Sequence, residues 1–315
     1  MYDAVALGEI LVDFAMERAG KDGFPVLAAH PGGAPGNFLA AMSRCGRKTA
    51  MVGKVGEDRF GALLCESLEQ AGIETRGVLR DPAVFTTLAF VTFDETGDRS
   101  FSFARKPGAD TCLRFEEVDL SLVEEAKVFH FGTLSLTDEP AREATVRTVA
   151  YARERGKLIT FDPNLRKPLW TSEEAAREQM LWGLRQADVV KISDEEVEFL
   201  WHCSPEEGAD RLLEEFGVKL AMVTMGPEGC YLKNGTACCY AGGPGVHVVD
   251  TTGAGDIFGG CAVSRILELE KDPALLDEGE LLYVAKFAAT AASLSTEHPG
   301  AIPSIPDRET VLSCL

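Results

Sequence analysis

The chain has 315 residues, 45% of them hydrophobic and 26% charged, the profile of a globular protein able to bury roughly 75% of its unfolded surface. Lys plus Arg total 31 against 50 Asp plus Glu, and a formal charge of −19 disfavours nucleic-acid backbones and anionic membranes as partners. The start Met1-Tyr2-Asp3-Ala4-Val5 lacks a signal-peptide pattern, no run of about 18 uncharged apolar residues occurs, and nine Cys include no Cys-x-x-Cys pair. These features predict reduced thiols, no membrane span and a cytoplasmic protein.

In chain order, short apolar runs at 4–7, 49–55, 128–131, 158–161, 189–192, 221–224 and 246–249 predict strands. Amphipathic stretches between them predict helices at 37–45, 62–71, 139–155, 172–184 and 205–216. Gly46, Gly72, Gly156 and Gly217 stand where helices should stop. This alternation predicts a parallel sheet with helices on both faces. Residues 84–104 break the rhythm. Two β-rich runs, 86–93 and 99–104, are joined by the loop string Asp94-Glu95-Thr96-Gly97-Asp98, and Phe101 alternates with Ser102 and Phe103 to make one face apolar. Periodicity alone leaves that face two roles: packing on the main body, or a lid or dimer clasp.

The C-terminal third carries the strongest chemical signal, Val248-Val249-Asp250-Thr251-Thr252-Gly253-Ala254-Gly255-Asp256-Ile257-Phe258-Gly259-Gly260. It reads as a strand ending at Asp250, a glycine turn, and a helix over about 255–268. Free N–H groups at such a helix start, backed by the helix dipole, suit a phosphoryl group. Asp256 beside them fits two readings: a first-turn capping acid, or the acceptor of a proton from an attacking hydroxyl. The glycines fall as Gly-x-Gly-x-x-x-Gly, unlike the dinucleotide fingerprint, which makes a nicotinamide dehydrogenase a distant third reading; no P-loop string occurs.

Other strings extend the pattern: Gly8-Glu9-Ile10-Leu11-Val12-Asp13, Pro31-Gly32-Gly33-Ala34-Pro35-Gly36-Asn37, and Gly53-Lys54-Val55-Gly56-Glu57-Asp58. Further on stand Asp162-Pro163-Asn164-Leu165-Arg166, Lys191-Ile192-Ser193-Asp194-Glu195-Glu196 and Thr224-Met225-Gly226-Pro227-Glu228-Gly229. As an ordered set from about 5 to 306, they resemble the ribokinase-like (PfkB) carbohydrate kinases, and within them the fructokinase subgroup.

That resemblance implies a Rossmann-like three-layer α/β/α sandwich, one kinase domain over 1–315, and a discontinuous small β-sheet lid from approximately 10–30 and 84–110. It implies ATP-dependent, Mg2+-assisted phosphorylation of D-fructose at O6. An apolar ribbon exposed in a monomer would be an aggregation risk, so the lid hairpin predicts a homodimer formed through it. Asp256 would be the base, with Gly253, Ala254 and Gly255 forming the anion hole and Arg166 facing the transferred phosphoryl. Asp13, Gly32, Gly33, Asn37, Phe101 and Arg105 would hold the sugar. Lys191, Glu196, Thr224, Gly226 and Gly229, with Gly253 and Gly255, would serve ATP. Glu196 would organise Mg2+ through water, and Asp250 with Thr252 would hold K+, although the string Thr296-Glu297-His298-Pro299-Gly300 is one residue longer than the family loop there. The rival substrate is 2-keto-3-deoxygluconate, whose carboxylate Arg105 would hold. The rival from another class is a non-catalytic sugar- or nucleotide-sensing protein.

Overall fold

The computed structural model describes residues 1–19, 24–93 and 99–315. Its strands are β1 (Tyr2–Leu7), β2 (Leu11–Ala19), β3 (Pro25–Gly32), β4 (Thr49–Gly56), β5 (Ile73–Asp81), β6 (Leu88–Phe93) and β7 (Arg99–Ala104). The second half supplies β8 (Ala126–Gly132), β9 (Leu158–Asp162), β10 (Val189–Ser193), β11 (Leu220–Thr224), β12 (Cys230–Asn234) and β13 (Cys238–Ala241). Among the described residues the main sheet has the order β13-β12-β11-β10-β9-β8-β1-β4-β5 and the small sheet the order β3-β2-β6-β7. The main sheet is parallel from β5 to β11, with an antiparallel edge at β12 and β13.

Successive residues of a strand point to opposite faces, and β1 divides its side chains accordingly. Ala4 and Ala6 enter one apolar core, while Val5 and Leu7 enter the other. The first core is closed by α1 (Ala34–Arg44), α2 (Arg59–Gln70), α8 (Ala254–Leu269) and α9 (Glu278–Ser295), with α10 (Arg308–Ser313) at its margin. The second is closed by α3 (Leu120–Glu124), α4 (Ala141–Glu154), α5 (Glu173–Gln186), α6 (Asp194–Trp201) and α7 (Pro205–Phe216). The result is the expected three-layer sandwich. Its helix stops fall as the glycines indicated, with Gly46, Gly72, Gly156 and Gly217 all at positive φ.

The small sheet is built from chain segments that fall within the two spans expected for a lid, except that β3 runs on to Gly32. The strand expected at 86–93 begins at Leu88, and the loop string from Asp94 to Asp98 lies outside the described residues. Leu11, Asp13, Ala15, His30, Val91 and Phe103 from this sheet line a cavity. On its other side Phe14 stacks on Phe90 at 5.3 Å and meets Phe60 of α2 edge-on at 5.6 Å.

One strand expectation fails. Residues 246–249 form no strand: Val248 and Val249 are each 55% exposed, and the segment joins neither sheet. Its apolar run is stretched over the surface, where Val249 N–H and Asp250 N–H both donate to the Thr296 carbonyl at 2.7 and 3.0 Å. The loop that follows is thus hung on the end of α9 rather than on a strand.

Helices α1 and α8 run side by side in the same direction and pack unusually closely. A Cβ placed on Gly260 would lie 2.3 Å from the Phe38 carbonyl oxygen and 2.8 Å from Ala41 Cβ. Gly260→Ala should therefore force the helices apart and destabilise the protein by about 1–3 kcal/mol, readable as a lower denaturant midpoint at unchanged slope.

Candidate active site

The segment after Asp250 is held by that residue's own carboxylate. Asp250 Oδ1 accepts from Thr252 N–H at 2.9 Å and from Thr252 Oγ1 at 2.7 Å, while Oδ2 accepts from Gly300 N–H at 2.9 Å. Gly253 turns the chain at φ 76°, and α8 starts at once with Ala254. Ile257 N–H donates to the Gly253 carbonyl at 2.8 Å, so the N–H groups of Gly255 and Asp256 precede the helical ladder. This is the geometry of an anion site with a carboxylate at its rim.

Two cavities meet here. One, of about 740 Å³, is lined by Arg166, Lys167, Arg177, Lys191 and Glu196; the other, of about 560 Å³, by Glu9, Asp13, Gly33, Asn37 and Phe103. Asn164, Arg166, Thr251, Gly253 and Asp256 line both. The first cavity is of mixed charge: Arg166, Lys167, Arg177 and Lys191 stand with Glu173, Glu195, Glu196, Glu198 and Asp256. The start of α8 adds its free N–H groups as the feature suited to a phosphoryl group. The second presents the carboxylates of Glu9, Asp13, Asp250 and Asp256 with Arg166 as its guanidinium, an array of acceptors suited to a neutral polyol.

Asp256 is oriented from two sides. Asn37 Nδ2 donates to its Oδ2 at 2.8 Å, and Asn164 Nδ2 approaches Oδ1 at 3.4 Å. Burial raises its pKa against the opposing pull of the Asn37 hydrogen bond and the charges of Lys191 and Arg166. A carboxylate so placed is a stronger base than one in water. Behind the anion site Lys191 Nζ lies 3.1 Å from Asp162 Oδ2. Burial opposes the lysine's charge, but Asp162, Glu196 and Asp256 outweigh it and hold its pKa above the ordinary value.

Across the polyol cavity, Gly32 leaves room for Asp13, since a Cβ there would come within 2.1 Å of Asp13 Oδ2. Burial pushes the Asp13 carboxyl up to about 6, with Arg166 pulling the other way. Asn37 Oδ1 is buried without a hydrogen-bond partner among the described residues, an acceptor aimed at nothing in the protein.

Several expected residues fall elsewhere. Arg105 does not reach the cavity: its side chain is 2% exposed, and its nitrogens donate to Asp110 at 2.7 and 2.8 Å, Thr137 Oγ1 at 2.7 Å and the Leu134 carbonyl at 2.8 Å. A guanidinium so committed holds loops together and, contrary to the sequence expectation, does not face the cavity as a sugar ligand would. Thr224 ends β11 and Gly226 and Gly229 follow it, all three outside the lining of both cavities. The Phe101 side chain lies outside the described residues. Glu196 lines the first cavity, but its oxygens accept from Leu165 N–H at 2.7 Å and Ser193 N–H at 2.9 Å.

Asn164, Glu9 and Asp162 were not singled out from sequence. The left-handed φ of Asn164, 45°, is a conformation Asn tolerates, and the string Asp162-Pro163-Asn164 was its available signal. Glu9 accepts from Ala34 N–H at 2.9 Å at the start of α1.

The pfkB family carbohydrate kinase model matches residues 1–308. The chain belongs to the pfkB family of carbohydrate kinases. It is thus a phosphotransferase acting on a sugar hydroxyl, with the ribokinase-like fold. Fructokinase-1 of Zea mays is 42% identical over 319 aligned residues, covering 99% of this chain and 97% of the relative. The ATP-bound fructokinase of Xylella fastidiosa superposes with a TM-score of 0.91 at 31% identity, covering 100% of this chain and 98% of that one. The Vibrio cholerae O395 fructokinase in fructose-, ADP- and calcium-bound form gives 0.87 at 30% identity, with coverage of 100% and 99%.

Burial pushes the Glu9 carboxyl up to about 7, outweighing the Arg105 charge and the Ala34 hydrogen bond that oppose it. The folded state then holds a proton that the unfolded chain releases near 4.5, so stability falls as pH rises from about 4.5 to 7. Glu9→Gln should remove this slope and gain up to about 3 kcal/mol on the wild type between the two ends of that window. Urea unfolding of both proteins at pH 5 and pH 8 checks the sign.

Proposed function

We propose that this kinase transfers the γ-phosphoryl group of ATP to O6 of D-fructose, with Asp256 as general base. The single observation that carries the reading is that a cavity holding Lys191 and the start of α8 and a second cavity lined by Asp13 and Asn37 share Asp256 and Gly253 at their junction. The triphosphate would lie along Lys191 and the start of α8. The sugar would sit under the small sheet, with hydroxyls donating to Asp13 and to the unpartnered Asn37 Oδ1. Its primary hydroxyl would then face Asp256, which takes the proton as the oxygen attacks phosphorus in line. The Gly255 and Asp256 N–H groups would receive charge on the migrating phosphoryl, and Arg166, lining both cavities, would add its own. The small sheet acts as a lid in this reading, and its closure excludes water.

The residues fit a divalent cation delivered with the nucleotide. Among the described residues no three Asp, Glu, His or Cys side chains form a cage, and Glu196 would hold Mg2+ through water. When bound, the ion screens the charge of the β- and γ-phosphoryl groups. Asp250 and Thr252 remain our assignment for K+, and exposed Phe24 and Leu27 beside the small sheet support a homodimer through it. Among the described residues no helix is long and apolar enough to cross a membrane, and we assign the enzyme to the cytoplasm.

The lining charges favour a ketose over 2-keto-3-deoxygluconate. A carboxylate substrate would face Glu9, Asp13, Asp250 and Asp256, and Arg105 is already neutralised by Asp110. ADP release across fructose, ribose, mannose, glucose and the keto acid, each in K+ or Na+, tests this. Fructose should dominate; turnover of the keto acid alone would overturn the substrate, and silence with ATP bound would favour the sensing protein. Asp256→Asn should lower kcat by roughly 10²–10⁴-fold with nucleotide binding retained. A fall of less than about threefold would remove Asp256 from the base role.

A further inference from the structure

The parallel helices α1 and α8 are joined at both ends. At their amino ends Asn37 donates to Asp256; toward their carboxyl ends Cys45 Sγ lies 3.9 Å from Cys261 Sγ, and Arg47 donates to Ser264 Oγ at 3.2 Å and its carbonyl at 2.8 Å. The two thiols are 216 residues apart in sequence and take no part in the proposed chemistry. Cys261 is 2% exposed, whereas Cys45, at 9%, borders a cleft of about 530 Å³ lined by Arg44, Arg47, Arg265 and Arg308. This is a route for a small polar oxidant.

We propose that Cys45 and Cys261 form a redox pair that closes to a disulfide under a hydroperoxide and alters the Asn37–Asp256 end of the helix pair. The two sulfurs must approach from 3.9 Å to about 2 Å. With Gly260 already pressed against Phe38, the helices take up that change by sliding or tilting, and the active-site end moves with them.

The thiols differ in character. The hydrogen bond from Cys261 holds the Cys45 thiol below its ordinary value, with the Arg265 and Arg47 charges adding to it, while Cys261 is raised. Burial pushes Cys65 and Cys203 up, and Cys230 and Cys239 to about 12 and about 11. Cys45 is therefore the attacking sulfur. Its thiolate attacks one peroxide oxygen; the O–O bond breaks, a sulfenic acid forms, and the leaving hydroxide takes a proton and departs as water. Cys261 then loses its proton and attacks that sulfur, the S–O bond breaks, and a second water leaves. Two thiols have given two electrons to one peroxide.

The test treats the full-length protein with hydrogen peroxide, caps remaining thiols with N-ethylmaleimide under denaturing conditions, and maps cross-linked peptides by mass spectrometry. A Cys45–Cys261 peptide pair lost on dithiothreitol treatment is expected, with fructose-dependent ADP release falling roughly tenfold and recovering on reduction. Cys261→Ala should keep basal turnover and lose both the cross-link and the reversible inhibition. Cys45→Ser is the second variant and should behave likewise. Alkylation of both thiols after oxidation, or cross-links only elsewhere, overturns the pair. A cross-link with unchanged turnover overturns its coupling to the site. The activity arm rests on the kinase reading, whereas the peptide arm does not, so failure of either is told apart.

Discussion

The close packing of α1 on α8 is the constraint on which the active site depends. Phe38, Ala41 and Gly260 let the helix backbones approach within the reach of a missing Cβ, and that approach brings Asn37 to 2.8 Å from Asp256. Asn37 lines the cavity we propose for the sugar, and Asp256 lies at the helix start we propose for the phosphoryl group. One hydrogen bond thus joins the two halves of the proposed site. A looser contact would leave the proposed base without its orienting amide, and a base misplaced by about 1 Å can cost two orders of magnitude in rate.

Charge around the junction is mixed, in keeping with a strongly acidic protein. The formal charge is −19, and Arg166, Lys167, Arg177 and Lys191 share one cavity with Glu173, Glu195, Glu196 and Glu198. Lys191 stays charged because Asp162 lies 3.1 Å away, and the pair keeps a permanent cation beneath the start of α8. In the second cavity burial raises the pKa values of Glu9, Asp13 and Asp256 together, since carboxylates share a desolvated space with Arg166 as their guanidinium. A neutral, hydroxyl-rich ligand would be accepted there at little electrostatic cost, and an anion would not.

Much of the fold was legible because its strands are short apolar runs bounded by capped helices. The helix at Pro205–Phe216 coincides with its amphipathic pattern, bracketed by Ser204 accepting from Glu207 N–H and by Gly217 in the left-handed region. Other elements were not legible, for identifiable reasons. Strand β5 sits at the sheet's edge, and its Glu74, Arg76 and Arg80 break the apolar run that marks the inner strands. Helix α9 is buried on most sides by Val284, Ala285, Phe287 and Ala288, which erases the period of an amphipathic helix. Residues 246–249 misled in the opposite way, as an apolar run that the sheet does not include.

The sequence by itself determined the layered α/β class, the helix start at Gly253-Ala254-Gly255-Asp256 and the family. Each is written locally, in periodicity, glycines and ordered strings. Only the tertiary structure decided which charges are available. Arg105 and Arg166 look alike in sequence, but Arg105 is consumed by Asp110, Thr137 and Leu134, whereas Arg166 lines both cavities. Likewise the pairing of Asn37 with Asp256, 219 residues apart, and of Cys45 with Cys261 exists only once α1 and α8 have packed. Spacing along a chain specifies local hydrogen bonds; the partner of a buried charge or thiol is chosen by whichever distant element fills the space beside it.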